Sequence, residues 1–560
     1  MRALFFTLLL CSVFTPLKAK QSKERPNIIF ILTDDQQFDL LGINGNPYIQ
    51  TPNLDQLAKE GVLMTNAHVA TPICTPSRTS ILLGQYERAH HVNFNSATAV
   101  SPAAWNTAYP MILREGGYFT GYIGKNHTPI GAAGYDSGIL EESFDYYLSG
   151  HGHLSFYPKD RHPEIFKDAK ADTQVEIIDE GVSDFFSNEF RLNKATEFIE
   201  TRPKDQPFFL NVCFNLPHGA STSTMKLKPM DDEIYRTLYR DLDINLDPLY
   251  IAKKDIKTPK LPADLLKAEN RQKGYRYVDD IESCRERYIR QMQAVTGIDR
   301  MVGHLRATLK EQNLDQNTIL VFTSDHGLFM GQFGLGGKAL LYEVCTKVPM
   351  IIFNPMDKIE NQNHVNDQLV ETIDLAPTFL SWAGIQAPAI YQGKDISKQY
   401  HLPNVPIREF TFTENLWSTQ FGNPRCEAVQ NQEWKYIRYY KNENFPANKK
   451  MEVARQFGVK EKSMFYATHE LDLARYFNYL TASFTEEAVY EELYHLEQDP
   501  KETTNLAGES QYQSQLKKMR KVWRNKLEKA YVESYENVVP WTYISNAEAL
   551  KKRQKLIVQD

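Results

Sequence analysis

Several runs along the chain are apolar at nearly every consecutive position: Asn27 to Leu32, Pro207 to Phe214, Thr318 to Phe322 and Val348 to Phe353. Each is rich in Ile, Val, Leu or Phe and stops abruptly at polar or charged residues. A strand with one wet face alternates apolar and polar positions. Unbroken runs instead fit strands buried on both faces of a mainly parallel sheet. Helical spacing fills the stretches between. Leu54, Leu57 and Ala58 share one face of a helix predicted to begin near Thr51-Pro52-Asn53 and to stop at Gly61. A second helix is predicted from about Glu286 through Met301 to Leu309, and a third from Asp374 to Ala383 with Pro377 in its first turn. Strand and helix in alternation predict an α/β fold with a large, mainly parallel central sheet flanked by helices. Ligands of such sheets bind beyond the carboxyl ends of the strands.

Two regions break this rhythm. Residues 220–285 turn polar, with mixed charges and several tyrosines, and read either as an insertion near the active-site face or as an irregular solvated surface. After about Tyr400 the strand pattern Glu433 to Tyr440 and a charged helical tail predict a smaller C-terminal α+β subdomain. The expected organisation is a leader over 1–19, a catalytic domain over 20–400 and the C-terminal subdomain over 401–560.

Composition changes this picture little. At 560 residues the chain is long enough for one large α/β domain with a smaller partner. A net charge of -6 provides no overall basic field for a nucleic acid. An anionic substrate must then meet its positive charge inside a pocket. Arg2, the apolar stretch Leu4 to Phe14 and Leu17-Lys18-Ala19 form a signal-peptide pattern too short to span a membrane, so an exported protein, secreted or periplasmic, is expected. Cys11 follows Leu10 rather than a small residue, which argues against lipid anchoring there. No later segment is long and apolar enough for a transmembrane helix. Without the leader, Cys74, Cys213, Cys284, Cys345 and Cys426 remain, an odd set for an oxidising compartment. At least one of them is therefore free, paired between chains or chemically altered, and Cys74 is the candidate.

The chemistry gathers where the apolar runs end. Asp34 and Asp35 directly follow Ile28-Ile29-Phe30-Ile31-Leu32 and Thr33. Adjacent carboxylates repel unless a cation or solvent neutralises them, and a solvated turn is the plainer reading of the pair alone. The pattern repeats, however, where Ile319-Leu320-Val321-Phe322 leads into Thr323-Ser324-Asp325-His326-Gly327. Three carboxylates at one sheet edge make an oxygen-rich site for a hard divalent cation such as calcium. Cys74-Thr75-Pro76-Ser77-Arg78, continued by Thr79 to Gly84, places a cysteine at the start of a helix, where unpaired backbone N–H groups favour anions. Arg78 follows one turn later on the same face. Taken alone, the stretch also admits a buried or merely reactive thiol.

Further segments follow in a set order. They are Gly117-Tyr118-Phe119-Thr120-Gly121-Tyr122-Ile123-Gly124-Lys125-Asn126-His127, then Asp374-Leu375-Ala376-Pro377-Thr378, then Leu493-Tyr494-His495-Leu496 with Asp499-Pro500-Lys501-Glu502 and Asn505-Leu506-Ala507. With the Cys74 stretch they resemble the signatures of the formylglycine-dependent sulfatase family, within the alkaline-phosphatase-like superfamily, over nearly all of the mature chain. The resemblance implies a sulfuric ester hydrolase whose Cys74 is converted to formylglycine (3-oxoalanine) by a formylglycine-generating enzyme. It implies a Ca2+ ion on Asp34, Asp35 and Asp325, joined by the modified Cys74 and His326. It gives Arg78 the role of stabilising the hydrated aldehyde, and Lys125 and Lys338, the latter in Gly336-Gly337-Lys338, the sulfate oxygens. His127 becomes the base on the diol, and His218, in Leu216-Pro217-His218, the acid that protonates the departing alcohol.

The implied reaction explains those residue types. One hydroxyl of the formylglycine diol attacks sulfur, giving a covalent sulfo-enzyme, and proton loss from the second hydroxyl expels sulfate. Histidine suits both proton transfers because its pKa lies near neutrality. Three departures from the family pattern stand out: Asn126 in place of the usual aromatic residue, Gly219-Ala220 after His218, and His326 where Asn is common. Since calcium prefers oxygen, His326 has two places open to it, on the ion or beside it. Export and the polar insertion point to a sulfated saccharide from polysaccharide degradation, either algal (such as ulvan or carrageenan) or a glycosaminoglycan. The Asp325-His326 pair resembles that of sulfatases acting on uronate-containing glycans. Two alternatives stand beside this reading. One is a phosphatase or phosphodiesterase of the same superfamily, which would need a Ser or Thr nucleophile and two metal sites. The other is an inactive scaffold that binds sulfated glycans.

Overall fold

The computed structural model describes residues 25–92, 98–150, 190–218, 237–262, 265, 276–357, 359, 364–416, 424–440, 482–533 and 536–540. The expected leader with Cys11, much of the 220–285 insertion and the end of the charged tail lie outside the described residues.

A nine-stranded sheet carries the fold. Its order is Val365–Asn366, Val62–His68, Lys347–Phe353, Thr318–Ser324, Asn27–Asp34, Phe208–Pro217, Phe119–Lys125 and Tyr146–Gly150, with Val370–Glu371 also paired to the second strand. The central strands run parallel: Asn27–Asp34 between Thr318–Ser324 and Phe208–Pro217, and Phe119–Lys125 beside the latter. Their continuous apolar runs follow from burial on both faces. Ile28, Phe30 and Leu32 pack with Tyr109, Phe209 and Phe379 on one side, whereas Ile29 and Ile31 meet Leu54, Leu57, Met301 and Leu305 on the other.

One run departs from the parallel pattern. Lys347–Phe353 is antiparallel to both of its neighbours. A parallel partner needs a long crossover, usually a helix. Between Ser324 and Lys347 the chain forms only a small hairpin, Phe329–Met330 against Gly336–Gly337, and the short helix Glu343–Thr346. The predicted helices are present with shifted ends. The first is Pro52–Glu60. The second starts earlier than its periodicity indicates and spans Ile281–Glu311, because the Asp280 carboxylate accepts from the Ser283 N–H and caps it. The third is a 3-10 turn, Thr372–Asp374, running into Leu375–Trp382.

A separate four-stranded antiparallel sheet follows, Thr411–Asn415, Arg425–Gln430, Trp434–Tyr440 and Tyr490–His495. Helix Gln513–Ala530 covers it through Leu516, Met519, Trp523 and Leu527. Arg88, fully buried, ties this sheet to the region behind Cys74 by pairing with Glu414 at 2.6 Å and with Glu427. No helix among the described residues is long and apolar enough to cross a membrane.

Candidate active site

Four parallel strands deliver their carboxyl ends to one edge of the sheet, and each brings polar residues of the site. Asn27–Asp34 presents Asp34 and Asp35, Phe119–Lys125 presents Lys125 and His127, Phe208–Pro217 presents His218, and Thr318–Ser324 presents Asp325 and His326. This is the edge at which open α/β sheets bind their ligands. Into it points helix Cys74–Leu83, whose first residue is Cys74 and whose every residue is buried. Its start has no side-chain cap, so its free N–H groups favour an anion.

Cys74 is a free, fully buried cysteine. Its Sγ lies 2.9 Å from Lys338 Nζ, 3.3 Å from His326 Nε2 and 3.6 Å from Asp34 Oδ1. Burial pushes the thiol up to about 12 despite Lys125 and Lys338, so the unmodified side chain is protonated at neutral pH. Asp34, Cys74, Asp325 and His326 each offer one ligand atom, and these atoms lie within 4.8 Å of one another. Asp35 stands beside this set. Its Oδ1 accepts from Lys338 Nζ at 2.8 Å and lies 3.2 Å from His326 Nδ1, and its Oδ2 lies 3.7 Å from His218 Nε2.

The electrostatics show where charge is missing. Burial opposes ionisation of Asp34, yet Lys125 foremost, with His218, Arg78 and Lys338, holds its carboxyl well below the usual range. Asp35 goes the other way. Burial raises it, Lys338 and His326 offset this only in part, and Asp34 and Asp325 add repulsion. Asp35 Oδ2 is buried without a hydrogen-bond partner. A carboxylate in that state, beside a cluster of two more carboxylates, an imidazole and a sulfur, fits a site for a divalent cation.

Arg78 is buried among acceptors from the neighbouring strands. Its Nε donates to Asp325 Oδ2 at 2.7 Å, Nη1 to the Lys125 carbonyl at 2.9 Å, and Nη2 to the Phe214 and Thr33 carbonyls at 3.3 and 3.4 Å. One guanidinium thus joins the ends of all four strands. Ser77, which sequence reasoning passed over, donates to the Asp325 carbonyl at 2.6 Å. Its place inside the Cys74-to-Arg78 stretch was the available signal.

Lys125 pairs with Asp34, both fully buried. Gly124, just before it, lets this strand pass close to Phe208–Pro217. It adopts φ +99°, and a methyl group there would come within 1.8 Å of the Cys213 carbonyl oxygen. His127 is buried in a left-handed conformation, φ 53°, with its ring stacked on Tyr135 at 6.3 Å, and it is not a member of the four-atom set. Asn126 donates to the Tyr147 hydroxyl at 2.8 Å. His218, 12 % exposed, sits at the rim, and burial holds it well below its ordinary pKa despite Asp34.

Fold and site together define an α/β enzyme with a buried metal-type donor cluster flanked by lysines, an arrangement suited to anionic esters. The model of the sulfatase family matches residues 26–385, and the chain belongs to that family as a sulfuric ester hydrolase. A further model, N-sulphoglucosamine sulphohydrolase, C-terminal, matches residues 331–450. The chain is 26% identical to the N-acetylglucosamine-6-O-sulfatase of Bacteroides thetaiotaomicron, covering 89% of this chain and 86% of that one. It is also 26% identical to an arylsulfatase of Clostridium perfringens, covering 90% and 95%. Among solved structures, BT4656 in complex with its substrate D-glucosamine-2-N,6-O-disulfate shares the fold with a TM-score of 0.59 at 22% identity, over 90% of this chain and 98% of that one.

Proposed function

We propose that this sulfatase removes sulfate from sulfated saccharides after export, using Cys74 converted to formylglycine and a calcium ion held by Asp34, Asp35 and Asp325 with position 74 and His326. The observation that carries the reading is Cys74 itself, buried at a helix start within 3.6 Å of Lys338, His326 and Asp34. Formylglycine would supply a hydrated aldehyde, one hydroxyl to attack sulfur and displace the alcohol, and a second whose proton loss would re-form the aldehyde by breaking the C–O bond and releasing sulfate. A divalent cation supplies Lewis-acid polarisation of a sulfate oxygen.

The chain's own residues account for the rest. Arg78, Lys125 and Lys338 balance Asp34, Asp35 and Asp325, so a bound cation leaves a surplus of positive charge for the ester. Lys125 and Lys338 bind sulfate oxygens from two sides. Arg78 holds the strand ends in register under them. His218, at the rim, holds the proton for the departing alcohol oxygen, and an anionic ester beside it raises its proton affinity in the same sense as Asp34 does. His127 takes the proton from the diol. The saccharide substrate is supported by the relative that acts as an N-acetylglucosamine-6-O-sulfatase. Residues 20–400 form the catalytic unit in this reading.

The test has two parts. The mass of the peptide around Cys74, from a host with the maturing enzyme, must show an aldehyde or its hydrate in place of the thiol. A panel of sulfated saccharides differing in sulfate position is then assayed beside aryl and choline sulfates. An unmodified thiol in an active enzyme overturns the formylglycine reading, and turnover of the small sulfates alone overturns the saccharide.

A further inference from the structure

Lys338 stands directly after a hairpin, Phe329–Met330 paired with Gly336–Gly337, whose turn spans 331–335. A two-residue hairpin holds a side chain poorly unless its turn is fixed from outside. The fixing comes from residues 249–260, part of the segment that breaks the α/β pattern. The Ile251 N–H donates to the Gly331 carbonyl at 3.0 Å, and the Phe333 N–H donates to the Leu249 carbonyl at 2.8 Å, with Tyr250 bridged antiparallel to Gln332. The fit is close on both flanks. A methyl group on Gly331 would come within 2.2 Å of the Tyr250 ring, and one on Gly334 within 2.5 Å of Ile256.

Lys260 closes the clamp. Its Nζ lies 4.4 Å from the Phe333 ring centre, 4.9 Å from Tyr494 and 5.2 Å from Tyr342, and it donates to the Glu502 carbonyl. A single cation thus joins the hairpin turn, the residues after Lys338 and the C-terminal sheet. On the far side of Lys338, the Ala339 N–H donates to the Pro72 carbonyl at 3.3 Å, next to the helix that begins at Cys74. The two ties bracket the lysine whose Nζ sits 2.8 Å from Asp35 and 2.9 Å from Cys74 Sγ.

We propose that Lys260 is a positioning residue for the reaction: the 249–260 segment, locked by Lys260 on the Phe333–Tyr342–Tyr494 rings, sets the hairpin that aims Lys338 at the sulfate. This rests on Lys338 binding sulfate oxygens, as proposed above. Lys260 touches neither substrate nor position 74 and acts through Lys338 alone.

The experiment is a double-mutant cycle in kcat/KM on the saccharide that the panel selects, with equal formylglycine content confirmed in every variant by peptide mass. Lys338→Ala should cost about 100-fold or more, the size of one lost donor to a developing anion. Lys260→Met should cost about tenfold, the scale of a partly desolvated cation–π contact, and Lys260→Arg should recover most of it. The double variant should be no worse than Lys338→Ala alone, because coupled residues are not additive. Multiplying losses, no rescue by arginine, or full activity in Lys260→Met beside a crippled Lys338→Ala each overturn the positioning role. An active Lys338→Ala instead overturns the reading of Lys338 beneath it. If Lys260→Met fails to fold, Phe333→Leu, which removes a ring from the other side of the contact, carries the same cycle.

Discussion

Replacing Arg78 with alanine tests whether this residue is a strut or a substrate ligand. In the native enzyme it is 1% exposed and pairs with fully buried Asp325. Removing one member of such a pair strands the other charge, which costs about 3–5 kcal/mol. Three carbonyl contacts, to Lys125, Phe214 and Thr33, disappear with it. Arg78→Ala should therefore lower unfolding free energy by roughly 4 kcal/mol. Arg78→Lys keeps the charge and loses the fork, and should cost about 1–2 kcal/mol. The control is Arg114→Ala. Arg114 pairs with Asp145 at 2.9 Å, but the side chains are 37% and 24% exposed, and its loss should cost under about 1 kcal/mol. Urea unfolding followed by tryptophan fluorescence measures all three against the parent. If Arg78→Ala unfolds at the parent's midpoint while activity vanishes, the guanidinium serves the substrate and the strut argument fails.

Other consequences can be checked independently. Lys125→Ala should lower kcat/KM by about 100-fold or more, since it removes both the proposed sulfate donor and the partner of Asp34; unchanged kinetics would remove Lys125 from the site. Gly124→Ala forces a left-handed φ on alanine and a clash with Cys213, so a loss of at least about 2 kcal/mol is expected in the same urea titration, against no loss if the strands part freely. Burial holds His68 at about 4 against its ordinary 6.5, so the neutral ring contributes stability that is full above 6.5 and lost as pH falls toward 4. The parent should lose about 3 kcal/mol relative to His68→Gln across that window, and parallel stability curves for the two proteins would refute the shift.

Much of the molecule was legible in one dimension. A run of consecutive Ile, Val and Phe reports burial on two faces, so the central strands could be located from Asn27, Pro207 and Thr318 onward. Their polar endings marked the carboxyl edge, and with it Asp34, Asp35, Asp325 and His326. The cysteine at a helix start was readable because Arg78 follows it one helical turn later. What stayed hidden depends on which segments meet through space. Periodicity carries no strand direction, so Lys347–Phe353 gave no sign that it runs antiparallel. A local pattern cannot name a distant partner, so the four acceptors of Arg78 from four strand ends had no signature. The same holds for Lys260 on rings from residues 333, 342 and 494. Local sequence determined which chemistry each element carries, while tertiary packing decided which charges share a low-dielectric pocket, because Coulomb and hydrogen-bond energies depend on distance in space and not along the chain.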